Sequence, residues 1–247
     1  MLLENVSFKG KTGIITGGAQ GIGKAIASQL VAMGGRAVIV DINPVTGEET
    51  CRELGNAAFY AVDLADAGQV VRVFEQIIAD EKHVDVLINN AGIADVGLLT
   101  EVTDERWDRL WRVNVGGVFY TCRAVLPGMI REKRGKIINL SSIWGIAGAS
   151  CEAAYSATKA AVIGLTKALA KEVGPSGIQV NCIAPGAVET DMNAALDEAA
   201  LRSLREETPL GRLGTPREIA AAIAFLASEE SDFITGQVLS PNGGLVI

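Results

Sequence analysis

The chain has 247 residues, is 49% hydrophobic and 21% charged, and carries a formal net charge of −7. That is enough apolar sequence for a sizeable core, and the negative balance gives neither nucleic acid nor an anionic membrane a reason to bind, so small-molecule chemistry is expected. No segment approaches about 18 uninterrupted apolar residues and no basic stretch leads into an apolar run at the start. The seven prolines are scattered without a linker. These features predict a single cytoplasmic domain over 1–247 with no membrane span. Cys51, Cys122, Cys151 and Cys182 lie far apart with no CxxC pair and are expected to be buried free thiols, and the only histidine, His83, has no ligand partner at metal spacing. No metal site is expected.

In chain order, a strand is predicted over 13–16 and a helix over 22–33, with the glycine-rich turn "TGGAQGIG" between them. Gly17, Gly21 and Gly23 let an anion approach the turn and the unpaired N–H groups of the helix N-terminus, and the expected ligand is a pyrophosphate. A second strand over 37–41 ends on Asp41, whose carboxylate suits an adenosine ribose 2′-OH. It also suits a plain turn before Pro44. A helix over 46–54, a strand over 57–61, a helix over 65–80 and a strand over 84–89 follow.

A long helix is predicted over 105–132. Within it Asn114 interrupts the apolar stretch "LWRVNVGGVFY", and a mid-helix asparagine competes with its own backbone for hydrogen bonds, which predicts a bend with a held water. The basic run "REKRGK" at 131–136 reads as a solvated helix end, or as a surface for an acidic carrier protein. The strand over 136–140 leads into Ser142. The helix over 153–173 carries Tyr155 and Lys159, four apart and so on one face, where an ammonium would favour the phenolate and make Tyr155 an acid/base. A strand over 178–182, a weaker helix over 191–207, a helix over 216–228 and a strand over 237–239 complete the chain. Unbroken apolar strands alternating with helices predict an α/β fold, a doubly wound parallel sheet of about seven strands with helices on both faces and ligands beyond the C-terminal strand ends.

The glycine spacing in "TGGAQGIG" resembles the TGxxxGxG of the short-chain dehydrogenase/reductase family. "VDL" at 62–64, "NNAG" at 89–92, "VNVGG" at 113–117, "NLSS" at 139–142, "YSATK" at 155–159 and "PGAVET" at 185–190 extend the resemblance, in the family's order, over nearly the whole chain. The resemblance implies a Rossmann fold and reversible hydride transfer between a nicotinamide and a secondary alcohol or ketone. It implies a tetrad of Asn114, Ser142, Tyr155 and Lys159, in which Tyr155 exchanges the proton, Ser142 holds the substrate oxygen and Asn114 supports a relay from Lys159. It implies cofactor contacts from Gly17, Gln20, Gly21, Ile22 and Gly23, from Asp41 and Ile42, from Asp63 and Leu64 near the adenine, and from Asn90, Ala91 and Gly92. Tyr155, Lys159, Pro185, Gly186, Val188 and Thr190 complete the set. A segment at about 187–215 is expected to cover the substrate, with Ile93, Ile143, Trp144, Ala147, Gly148 and Met192 as pocket neighbours.

"GKIINLSSIWG", "NCIAPG", "PLGRLGTP" and "ITGQVLSPNGG" resemble the 3-oxoacyl-acyl-carrier-protein reductases within that family. Those reductases usually use NADPH and often place a basic residue in the glycine turn, where this chain has Gln20, with Asp41 after the second strand. The expectation is therefore NAD (NADH/NAD+), preferred over NADP, and a dehydrogenase of a secondary alcohol, sugar or hydroxysteroid. A 3-oxoacyl thioester reductase ranks second and a non-catalytic dinucleotide-binding sensor last. Helical segments at 107–129 and 153–173 carry more small and apolar residues than one sheet-facing stripe needs, which with the resemblance implies a homotetramer with two-fold axes.

Overall fold

The computed structural model describes residues 6–190 and 198–247. Strands β1 (Thr12–Thr16), β2 (Arg36–Asp41), β3 (Ala57–Ala61), β4 (Val86–Asn89), β5 (Gly135–Leu140), β6 (Ile178–Ile183) and β7 (Val238–Leu239) form one parallel sheet in the order β3-β2-β1-β4-β5-β6-β7. Each predicted strand is present. The Val- and Ile-rich runs stay unbroken because both faces are covered, so alternate side chains meet helices above and below.

The helices are α1 (Gly21–Ala32), α2 (Pro44–Leu54), α3 (Ala67–Glu81), α4 (Asp104–Trp111), α5 (Gly117–Glu132), α6 (Ile143–Ala147), α7 (Ala153–Val173), α8 (Glu198–Glu207) and α9 (Pro216–Ala227). Phe74, Val118, Val125, Val162 and Leu169 from α3, α5 and α7 pack on one face of the sheet. Ile26, Leu30, Ile219 and Ile223 from α1 and α9 pack on the other. The chain winds outward from β1 in both directions, so the order reverses between β1 and β4, where an open α/β sheet leaves a crevice.

Several expectations are corrected. The helix predicted over 105–132 is two helices, α4 and α5, joined by a π-helical turn at Arg112–Gly116 that contains Asn114, which is the form the expected bend takes. Short α6 was not anticipated. Of the helix predicted over 191–207, α8 covers the described part; residues 191–197, including Met192, lie outside the described residues. Cys122 and Cys182 are buried, but Cys51 is half-buried and Cys151 exposed. The run at 131–136 is only partly a solvated helix end. Lys133 caps α5 in a left-handed conformation, Arg134 lies 3.1 Å from Asp85, and Lys136 is buried in β5 with its ammonium 2.6 Å from Asp232. Among the described residues, no helix is long and apolar enough to cross a membrane and no cluster of metal-ligating side chains occurs.

Candidate active site

A cleft with a cavity volume of about 340 Å³ runs along the C-terminal strand ends at the switch point. Its floor is the glycine turn. Gly17 leaves β1 at φ +63°, and a Cβ there would sit 2.9 Å from the Ala91 Cα; one on Gly23 would sit 1.9 Å from the Gly17 carbonyl oxygen. These two glycines are required by close chain approach. Gly21, at φ +54°, differs: a Cβ there would meet nothing nearer than Thr190, at 3.7 Å. α2 and α3 are capped by the side chains of Asn43 and Asp66, whereas Gln20 makes no such bond to α1. Among the described residues, the first-turn N–H groups of α1 have no side-chain acceptor, which suits a pyrophosphate.

The walls are tied to this turn. Asn90 Nδ2 donates to the carbonyls of Thr16 at 3.0 Å and Gly17 at 2.9 Å, stapling the end of β4 to the end of β1. Asp41 Oδ2 accepts from the Ala19 N–H at 3.1 Å, and Oδ1 from the Asn43 N–H at 3.2 Å. Asp41 therefore braces the turn and the entry to α2.

On the other side, α7 brings up Tyr155 and Lys159, and the end of β5 brings up Ser142, which also caps α6 by accepting from the Trp144 N–H at 3.2 Å. Tyr155 and Ser142 line the same wall of the cleft, near enough for the Ser142 hydroxyl to act on the phenol. Lys159 Nζ lies 5.6 Å from the Tyr155 ring centroid and donates to the Leu140 carbonyl at 3.0 Å. Asn114 is 1% exposed and stands behind the wall. Its Oδ1 accepts from the Ile93 N–H at 2.9 Å, and its Nδ2 donates to the Ile93 carbonyl at 2.9 Å and to Thr158 Oγ1 at 3.1 Å. A Cβ on Gly92 would lie 3.1 Å from Lys159 Nζ and 3.2 Å from Asn114 Oδ1, so the loop, the lysine and the asparagine converge closely here.

Burial dominates the electrostatics. It pushes the Tyr155 phenol up to about 12, against a lowering pull from Ser142 and with a small further push from Glu152. It pushes the Lys159 ammonium down to about 8. The lowering expected from the Lys159 ammonium does not act on the phenol here: burial, Ser142 and Glu152 do, and the net direction is upward.

Ser142, Tyr155 and Lys159 line the cleft, as do all the expected cofactor residues except Gly23. Of the substrate neighbours Ile93 lines it; Ile143, Trp144, Ala147 and Gly148 do not. Sequence reasoning missed Val40, Val62, Arg109, Val113, Leu140 and Ser141. Leu140 and Ser141 were legible in principle, since they directly precede Ser142 at a central strand end. Arg109 carried no such signal.

Residues 17–246 match a family model described as enoyl-(acyl carrier protein) reductase. The chain is 41% identical to the 3-oxoacyl-[acyl-carrier-protein] reductase of Chlamydia trachomatis over 240 residues, covering 95% of this chain and 97% of that protein. It is 41% identical to the Thermotoga maritima protein of the same name over 244 residues, covering 97% and 99%. The crystal structure of a 3-oxoacyl-[acyl-carrier protein] reductase from Brucella melitensis superposes with a TM-score of 0.92 at 37% identity, covering 98% of this chain and 93% of that one. The preference for NAD over NADP expected from Gln20 and Asp41 is overturned by this kinship, because the relatives are reductases of the NADPH-using kind. Asp41 lines the cleft, and each of its oxygens also accepts one backbone N–H, from Ala19 and from Asn43. Motif order, sheet topology and similarity over nearly the full length agree that this chain, an oxidoreductase, belongs to the short-chain dehydrogenase/reductase family.

Proposed function

We propose that the protein reduces the 3-oxo group of an acyl thioester presented on an acyl carrier, forming the 3-hydroxyacyl thioester. The observation that carries this reading is identity of about 40% to 3-oxoacyl reductases over nearly the whole chain, in a protein whose cleft wall brings Ser142, Tyr155 and Lys159 together. It displaces the dehydrogenase of a sugar, hydroxysteroid or other secondary alcohol as the first reading. A reduction needs a proton donor at the ketone oxygen, and the Tyr155 phenol, protonated at neutral pH, stands at the cleft wall beside Ser142.

The cleft suits a nicotinamide dinucleotide: the open Gly21, the uncapped start of α1 and the stretch Asn90–Gly92 would hold it, and when bound it supplies the hydride. The Ser142 hydroxyl donates to the ketone oxygen and fixes its position. Tyr155 passes its proton to that oxygen as negative charge develops there. Lys159, pinned on the Leu140 carbonyl, stabilises the phenolate left behind. Asn114 holds the Ile93 backbone against α7 and so keeps the wall beside Lys159 in place.

We read the protein further as a cytoplasmic homotetramer. Trp107, Phe119 and Ile130 on α4 and α5 are 37–44% exposed, more apolar surface than these helices need for the sheet.

The test is a substrate panel followed by the absorbance of the reduced nicotinamide, with NADPH and NADH supplied in separate runs. Consumption with a 3-oxobutyryl thioester, yielding the 3-hydroxy product, supports the reading. Oxidation of simple secondary alcohols or sugars with no thioester reduction overturns it.

A further inference from the structure

Asp63, the carboxylate expected beside an adenine, is already committed. Its Oδ1 accepts from the Ala65 N–H at 2.9 Å, and its Oδ2 receives Arg109 Nη1 at 2.9 Å. These bonds outweigh partial burial and hold the carboxyl below its usual range. Arg109 comes from α4, one turn before the π-helical turn, and reaches to the chain leaving β3. It lines the cleft together with Val62, Leu64 and Val113. Among the described residues lining the cleft, Arg109 and Lys159 are the cations, and Lys159 lies beside β5, separated from β3 in the sheet by β2, β1 and β4.

A guanidinium held by one edge keeps its flat faces available, and unlike an ammonium it is weakly hydrated and stacks on aromatic rings. Val62, Leu64 and Val113, which line the same cleft, add apolar surface. A phosphate placed here would meet the Asp63 carboxylate, whereas a neutral flat heterocycle meets apolar walls, a cationic plane and an edge acceptor. We propose that Arg109 is an adenine-binding residue, its guanidinium fixed by Asp63 so that its plane stacks on the base. The proposal rests on the reading of this cleft as a dinucleotide site.

The test is calorimetric binding of ADP-ribose and of its 2′-phosphorylated form to the full-length protein and to Arg109→Gln and Arg109→Lys. Arg109 is partly exposed, and loss of one surface ion pair leaves the fold in place. In Arg109→Gln both ligands weaken by about fivefold to tenfold, the scale of a partly desolvated cation–π contact. Arg109→Lys restores little of this, and turnover at saturating dinucleotide stays within about twofold of the parent while the KM for it rises. Unchanged ADP-ribose affinity in Arg109→Gln, full restoration by lysine, or weakening confined to the 2′-phosphorylated ligand overturns the proposal. A parent protein that binds neither ligand overturns the dinucleotide reading as well, so the two failures are distinguishable.

Discussion

The Lys159 ammonium donates to the Leu140 carbonyl at 3.0 Å, so the end of β5 fixes the position of a charge that α7 carries. Burial holds that ammonium near 8, while the Tyr155 phenol stays protonated up to about 12. The phenol therefore does not limit reduction on the alkaline side. As pH rises through about 8 the lysine loses its proton and can no longer stabilise the phenolate, so kcat/KM for reduction, which reports the free enzyme, falls above that pH. In Lys159→Arg the cation persists, and the residual activity keeps its plateau to higher pH. A pH–rate profile whose alkaline limb is the same in both proteins would detach Lys159 from the ionisation.

Tyr155→Phe removes the proton donor and leaves the ring. Turnover of the 3-oxoacyl thioester falls by about two orders of magnitude or more, the scale of general acid–base catalysis. Dinucleotide binding, followed by quenching of protein fluorescence, changes little. Near-parental turnover at saturating substrate sinks the assignment of Tyr155.

The glycines of the turn separate stability from binding. In Gly23→Ala the new methyl meets the Gly17 carbonyl and the Asn90 amide, both fixed, so α1 must shift. The cost is about 1–3 kcal/mol of overpacking, with a Tm several degrees lower. In Gly21→Ala the methyl makes only an ordinary contact with Thr190, and the penalty is the left-handed φ, about 1–2 kcal/mol. Dinucleotide affinity nevertheless drops by at least about tenfold, because the methyl stands where an anion approaches. Equal losses of Tm and affinity in the two variants would contradict this division.

The sheet was legible because its strands are covered on both faces and so read as short runs rich in Val, Ile and Leu; β1, β4 and β5 are buried throughout. The glycine turn, Ser142, Tyr155 and Lys159 were legible because motif spacing fixes their places at strand and helix ends. The π-helical turn was not, since apolar periodicity continues through Val113 and Val118 as in a straight helix, and only Asn114 hinted at a break. Lys136 read as surface because its acidic partner, Asp232, is remote in sequence. Arg109 failed in the same way, its partner Asp63 lying on another element. Asp41 misled for another reason: a carboxylate that a motif places at a strand end does not by itself decide between two dinucleotides.

Beneath the cleft, a chain of buried polar side chains crosses the sheet and joins α5 to α7. Thr121 Oγ1 donates to Asn89 Oδ1 at 2.6 Å, Asn89 Nδ2 donates to Asn139 Oδ1 at 2.8 Å, and Asn139 Nδ2 donates to Thr166 Oγ1 at 2.9 Å. Asn89 and Asn139 face each other in register, one residue before Asn90 and Leu140, which line the cleft. Asn139→Ala removes the middle of this chain, taking the acceptor from Asn89 and the donor from Thr166 in a region closed to solvent. A stranded buried polar group costs about 1–3 kcal/mol, and the small residue leaves a void as well, so the stability loss lies at or above the upper end of that range. Asn139→Asp keeps the volume and the acceptor toward Asn89 but buries a charge beside Thr166, and is at least as damaging near neutral pH. Thr166→Val, at the end of the chain, strands only one donor and costs about 1 kcal/mol less than Asn139→Ala. Urea unfolding of the three variants checks the ranking, and an Asn139→Ala protein as stable as the parent would show that the chain contributes nothing to holding β4 and β5 under the site.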